Sequence, residues 1–112
     1  MKARLDYLEL PAKEIAMTQA FYESAFGWKM TSFAPTYAAT TTGDVDVGLQ
    51  ADMADASKAP LAVIQVGDLE AALKAVTQAG GKIVKPIFAF PGGRRFHFTD
   101  PSGNELAAWQ TA

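Results

Sequence analysis

The chain has 112 residues, 49% of them hydrophobic, with 10 basic and 12 acidic residues, a formal net charge of −2 and no cysteine. That length fits one domain with a real core, the balanced charge lacks the basic face that nucleic acid requires, and the missing cysteines exclude a disulfide framework, a thiolate nucleophile and a thiolate metal site. No apolar run approaches the roughly 20 residues of a membrane span, and Met1-Lys2-Ala3-Arg4-Leu5-Asp6 lacks the apolar stretch of a secretory leader, so a cytosolic location is expected.

A first strand is expected over Arg4–Leu10, followed by a helix from about Ile15 to Phe26. Met17, Phe21, Tyr22, Ala25 and Phe26 give this helix a broad apolar face, with Gln19 and Glu23 opposite. Strands are expected next over Trp28–Phe33, Thr36–Thr42 and Val45–Gln50, and Ala51–Pro60 reads as a short linker. Leu61–Val66 reads as a strand that leads into a second helix. Asp68 caps that helix with a short acceptor side chain. Leu69, Ala72, Leu73 and Val76 recur at i, i+3, i+4 and i+7, Glu70 and Lys74 form an i, i+4 pair, and Gly80-Gly81 ends the helix. The last strands are expected over Lys82–Phe88, Arg95–Thr99 and Glu105–Gln110, separated by Pro91-Gly92-Gly93 and by the tight turn Asp100-Pro101-Ser102-Gly103-Asn104.

Sliding the chain against itself by 54 residues places Leu10 on Ile64, Glu14 on Asp68, Ile15 on Leu69, Tyr22 on Val76, Ala25 on Ala79 and Gly27 on Gly81. The punctuation agrees without a gap from first strand through helix, which points to one unit present twice. The expected fold is therefore α+β, one domain of two tandem β-α-β-β-β modules over about residues 1–52 and 60–112.

Three motifs in that order carry a resemblance. They are Ala20-Phe21-Tyr22-Glu23-Ser24-Ala25-Phe26-Gly27-Trp28, Asp68-Leu69-Glu70-Ala71-Ala72 up to Gly80-Gly81, and Phe98-Thr99-Asp100-Pro101-Ser102-Gly103-Asn104-Glu105-Leu106. With them the chain resembles the vicinal oxygen chelate superfamily, which includes glyoxalase I, bleomycin-resistance proteins, fosfomycin-resistance enzymes and extradiol dioxygenases. The resemblance implies two curled mixed sheets around a cavity. For a chain of this length it also implies a homodimer whose cavity draws on both subunits. These motifs are mostly structural, so they specify fold more than activity.

In metal-dependent members, His and Glu ligands stand at set places. By the resemblance, the first lies 14 residues before Phe21, at Tyr7, the second at Leu61, and the last four residues after Gly103, at Ala107. The remaining carboxylate position falls on Gly48 or Gln50. None of these side chains is an imidazole or carboxylate, whereas a divalent first-row cation needs several such donors converging on one point. The chain's one histidine is His97. No metal and no other cofactor is expected.

Alternation along strands places Leu5, Tyr7 and Glu9 on the cavity side, with Leu61, Val63 and Gln65, with Arg95, His97 and Thr99, and with Glu105, Ala107 and Trp109; Phe96 and Phe98 fall on the core side. Glu9 reads two ways, as a carboxylate that binds a ligand or acts as a base, or as a fold-stabilising acceptor. His97 reads as a general acid or base or as a hydrogen-bonded strand histidine, and a Glu9–His97 pair would form one acid–base couple. Arg95 could hold an anionic group, Arg94 reads as solvated surface, and Tyr7 and Trp109 read as aromatic walls with polar tips or as ordinary packing. Ligand contacts are thus expected from Tyr7, Leu61, Gln65, Arg95, Ala107 and Trp109. The leading functional reading is metal-free binding of a small organic molecule, with no nucleic-acid or membrane partner. The alternatives are a glyoxalase-like lyase or isomerase using Glu9 and His97, and a dimeric interaction protein with a filled cavity.

Overall fold

The computed structural model describes residues 2–112. In chain order the elements are β1 (Ala3–Pro11), α1 (Ile15–Phe26), β2 (Thr31–Ala34), β3 (Tyr37–Ala39), β4 (Asp46–Gln50), β5 (Leu61–Val66), α2 (Leu69–Gln78), β6 (Lys82–Phe90), β7 (Gly93–Thr99) and β8 (Glu105–Thr111). Strand-helix-strand-strand-strand occurs twice, and the two helices begin at Ile15 and Leu69, as the internal repeat requires. The strands order as β2-β3-β4-β1 in one half and β6-β7-β8-β5 in the other. β1 runs parallel to β4, and β5 runs parallel to β8. The remaining pairs β2–β3, β3–β4, β6–β7 and β7–β8 are antiparallel. The fold is α+β with eight strands and two helices. It forms two compact units, Tyr7–Leu61 and residues 2–6 with Ala62–Ala112.

The second unit holds a conventional core. Val66, Leu69, Ala72, Phe96 and Ala108 are buried together, and Ile64, Leu73, Val76, Ile83, Ile87 and Phe98 pack around them. The i, i+3, i+4, i+7 stripe of α2 is what meets β6, β7 and β8. The helix entry is capped twice. Asp68 Oδ1 accepts from Ala71 N at 3.0 Å, and Gln110 Oε1 accepts from Leu69 N at 2.9 Å. Glu70 pairs with Arg94 rather than Lys74, through two contacts of 2.5 and 3.1 Å that match a guanidinium fork to a carboxylate. Trp109 Nε1–H donates to Asp6 Oδ1 at 3.0 Å, which ties residues 2–6 to β8.

The first unit departs from expectation in how its helix is turned. α1 has the expected bounds, but Ile15, Thr18, Gln19 and Tyr22 are its half-buried residues, and Met17 and Phe21 are 72% and 58% exposed. Gln19 thus lies on the inward stripe that sequence placed outside. The apolar residues of α1 are spread around its circumference, so apolarity alone does not select a face; packing on β3 and β4 does. The entry lacks a side-chain cap at Glu14, in line with Glu being a poor cap. The exit is better formed. Gly27 sits at φ 70° and its N–H donates to Glu23 O at 3.0 Å, a left-handed ending that a residue with a Cβ resists. Beyond it, Trp28 stacks on Tyr22 with ring centres 5.0 Å apart and planes 10° from parallel. The third strand ends at Ala39 instead of Thr42 because the following residues satisfy one another locally. Asp46 Oδ1 accepts from the hydroxyls of Thr40 and Thr42 and from Thr42 N, and Asp46 Oδ2 accepts from Gly43 N.

Candidate functional site

In the first unit, strand alternation and register bring Tyr7, Glu9, Tyr37 and Gly48 to one sheet face. Glu9 pairs with Gly48 across β1 and β4, and Ala39 pairs with Gly48 across β3 and β4. Tyr37 Oη–H donates to Glu9 Oε2 at 2.9 Å. A phenol carries one hydrogen, so the 2.5 Å contact between the two phenols takes its hydrogen from Tyr7. The result is a directed chain, Tyr7 to Tyr37 to Glu9. Glu9 is 3% exposed, and the phenol satisfies a carboxylate that burial would otherwise penalise. Burial, then the charge of Glu9, pushes the Tyr37 pKa well above the ordinary tyrosine range, which keeps this phenol protonated as a donor.

Gly48 makes this chain possible. A Cβ there would stand 2.0 Å from Tyr7 Oη and 2.2 Å from Tyr37 Oη. Of the two places considered for the remaining metal carboxylate, Gly48 is therefore the one against the phenols. Gln50 lies further along β4, where its Oε1 accepts from Asp52 N at 2.9 Å. Leu61 and Ala107, at the other two ligand positions, are buried and have no donor atom to offer a cation. Among the described residues no three His, Cys, Asp or Glu side chains come together. The donor set does not fit the His and Glu metal site that the resemblance implies.

In the second unit, His97 is 1% exposed and lies between its strand partners Lys85 and Ala107. Its Nδ1 is 2.8 Å from Glu105 Oε2. A carboxylate only accepts, so Nδ1 carries the hydrogen. Nε2 is buried without a hydrogen-bond partner. Burial lowers the His97 pKa from its ordinary value, and the positive charges of Arg95 and Lys85 add to this, while Glu105 opposes it through its hydrogen bond and charge. Beside the dyad, the Arg95 guanidinium lies 5.4 Å from the Phe88 ring centre and 5.8 Å from that of Phe90. Phe90 in turn is 6.1 Å from Trp109, and Arg95 pairs with Trp109 across β7 and β8. Gln65 pairs with Trp109 on the other side.

Glu9 and His97 are therefore each partnered within their own unit, by Tyr37 and by Glu105. Sequence reading named Gly48 only as one of two places for the remaining metal carboxylate, and did not single out Tyr37, Lys85, Phe88 or Phe90 as site residues. Glu105 was placed on the right face, and the hairpin register around Asp100–Asn104 would have put it beside His97. The first unit also holds an open depression of about 500 Å³ at the exit of α1, walled by Trp28, Lys29, Thr40–Thr42 and the valines Val45 and Val47.

Residues 4–108 match the Glyoxalase/Bleomycin resistance protein/Dioxygenase superfamily. A glyoxylase-like domain-containing protein of Didymella fabae is 28% identical over 121 aligned positions, covering 96% of this chain and 93% of that one. A superfamily member from Vibrio splendidus 12B01 superposes with a TM-score of 0.75 at 19% identity, covering 97% of this chain and 99% of the other. Methylmalonyl-CoA epimerase from Mycobacterium tuberculosis also superposes with a TM-score of 0.75, at 14% identity, covering 97% and 88%. At such identities the two structures speak for the fold alone.

Two predictions follow from this geometry. Gly48→Ala must push both phenols aside, and is expected to cost about 1–3 kcal/mol, the usual cost of overpacking; unchanged stability in urea denaturation would contradict the contact. His97 has a folded-state pKa below its unfolded value, so its contribution is full above about pH 6.5 and is lost as pH falls towards the folded pKa. Between pH 7.5 and 5 the stability of the parent should fall more steeply than that of His97→Gln, by up to about 1.4 kcal/mol per pH unit.

Proposed function

Because the chain belongs to the glyoxalase/bleomycin resistance protein/dioxygenase superfamily, yet lacks that group's metal donors, we propose that it binds a small organic molecule without a metal ion. The observation that carries this reading is the replacement of ligand positions by Tyr7, Leu61, Gly48 and Ala107. The faces bearing them keep aromatic rings and a few fixed polar groups, the composition of small-molecule sites. Tyr7, Leu61, Gln65, Arg95, Ala107 and Trp109 are the proposed contacts. Glu9 and His97 are the proposed polar centres. The setting is cytosolic. A second reading, acid–base turnover, draws on the two hydrogen-bonded carboxylates that place a phenol and an imidazole in defined protonation states.

Thermal unfolding of the full chain against a library of small organic compounds and against Ni, Zn and Mn salts tests the reading. An organic ligand at about 100 times its Kd adds about 2.7 kcal/mol and should raise Tm by several degrees, while the cations leave it unchanged. Stabilisation by a cation at micromolar concentration, with no organic compound active, would contradict the proposal. If the parent consumes the compound found, and Glu9→Gln and His97→Ala bind it without consuming it, the acid–base reading is favoured.

We also propose a homodimer. Its support is the outward side of α1, where Met17 and Phe21 lie exposed beside uncharged Ala20 and Ser24; apolar surface of this kind marks an interface. Light scattering at micromolar concentration should give twice the chain mass of 11.9 kDa, and Phe21→Glu should shift it towards the monomer. A monomeric parent would overturn this.

A further inference from the structure

One polar atom of the second unit is left over by the fold. The His97 imidazole is 1% exposed and gives its single hydrogen, on Nδ1, to Glu105 Oε2 at 2.8 Å. Burial and the nearby charges of Arg95 and Lys85 favour the neutral ring. Nε2 therefore presents a lone pair, and among the described residues no donor reaches it. A buried acceptor without a donor costs free energy, so native folds leave few of them. The neighbouring cations do not meet the need. Lys85 and Arg95 each hold partners of their own, and Arg95 lies over the rings of Phe88 and Phe90.

The strand paired with His97 is irregular at that point. β6 is the end strand of its half, and its register breaks on both sides of Lys85, the partner of His97. Ile83 and Lys85 face the adjacent Phe98 and His97, and Lys85 and Phe88 face His97 and Arg95. Each break puts one extra residue on β6, a device that recurs beside functional sites. Pro86, inside the second break, has no N–H to give the ladder. Opening this stretch locally therefore costs less than opening a regular strand. Next in line, Phe88 sets its half-buried ring 5.9 Å from the imidazole centre, with the planes 35° apart.

We propose that His97 Nε2 is the acceptor of a subsite for a neutral aromatic molecule carrying an N–H or O–H donor, reached through the irregular stretch of β6, with the ligand's ring beside Phe88. This rests on the small-molecule reading and adds a ligand class to it. The lone pair selects a donor over its methylated analogue. The Phe88 ring and the imidazole select a flat body. Both flanking cations are already engaged, so a carboxylate gains no new ion pair and still loses its hydration on burial.

Phenol and indole are the probes, each with its methyl-capped counterpart, anisole and 1-methylindole, and with benzoate as the anion. Each is titrated by calorimetry into the full-length chain near neutral pH, where phenol is uncharged. The expected order is phenol over anisole and indole over 1-methylindole by about three- to tenfold, the net worth of one hydrogen bond, with benzoate no tighter than anisole. His97→Phe keeps a flat ring and removes the lone pair, so the members of each pair should then bind alike. The chain has a single histidine, so its two imidazole nitrogen resonances give a readout on the unmodified protein. In the free chain the protonated nitrogen should be Nδ1, and at saturation the Nε2 resonance should move several times further with phenol than with anisole. Equal binding of phenol and anisole, benzoate tighter than phenol, a proton on Nε2 in the free chain, or equal Nε2 shifts with phenol and anisole would each overturn the subsite. If one of these occurs while a compound of the wider library still stabilises the chain, the small-molecule reading stands. If no compound binds, both fall.

Discussion

Two phenol oxygens stand where any side chain at position 48 would have to begin. A Cβ on Gly48 would lie 2.0 and 2.2 Å from them, closer than non-bonded atoms tolerate without displacement. The tyrosines are held there by the buried carboxylate of Glu9, through hydrogen bonds of 2.5 and 2.9 Å. One packing constraint thus links four residues on three strands. It gives Glu9 a donor, orients Tyr7, and excludes a carboxylate from position 48 of β4 at the same time. A chain that keeps these phenols cannot also build a metal ligand at position 48.

The duplicated halves use their sheet faces differently. In the first, a carboxylate ends a chain of phenols. In the second, a carboxylate fixes the tautomer of an imidazole flanked by two cations. The helices differ as well. α2 lays its apolar stripe on β6, β7 and β8 and buries Leu69 and Ala72, whereas no residue of α1 is fully buried. Shared topology with divergent chemistry is what duplication leaves when only turns, caps and core positions are held by the fold.

Most of the fold was legible in the sequence because its determinants are local. Asp68 caps α2, Gly27 ends α1, the Asp100–Asn104 turn closes the last hairpin, and strand alternation put Phe96 and Phe98 in the core and His97 on the opposite face. The outward turn of α1 was not legible, since apolar residues spread around a helix do not choose a side. Nor was the partner of Glu9. Tyr37 lies 28 residues away on a short strand, and no periodicity joins the two. Glu105 could have been found, because a hairpin pairing Thr99 with Glu105 sets it diagonal to His97 on the same face.

We propose that this member of its superfamily holds a hydrogen-bonded phenol pair in place of a metal site. Elemental analysis of the full chain, purified without chelators, tests it most directly. The account predicts Ni, Zn, Mn and Fe each far below one equivalent per chain. One equivalent of any of them, retained through dialysis and released only on unfolding, would contradict it.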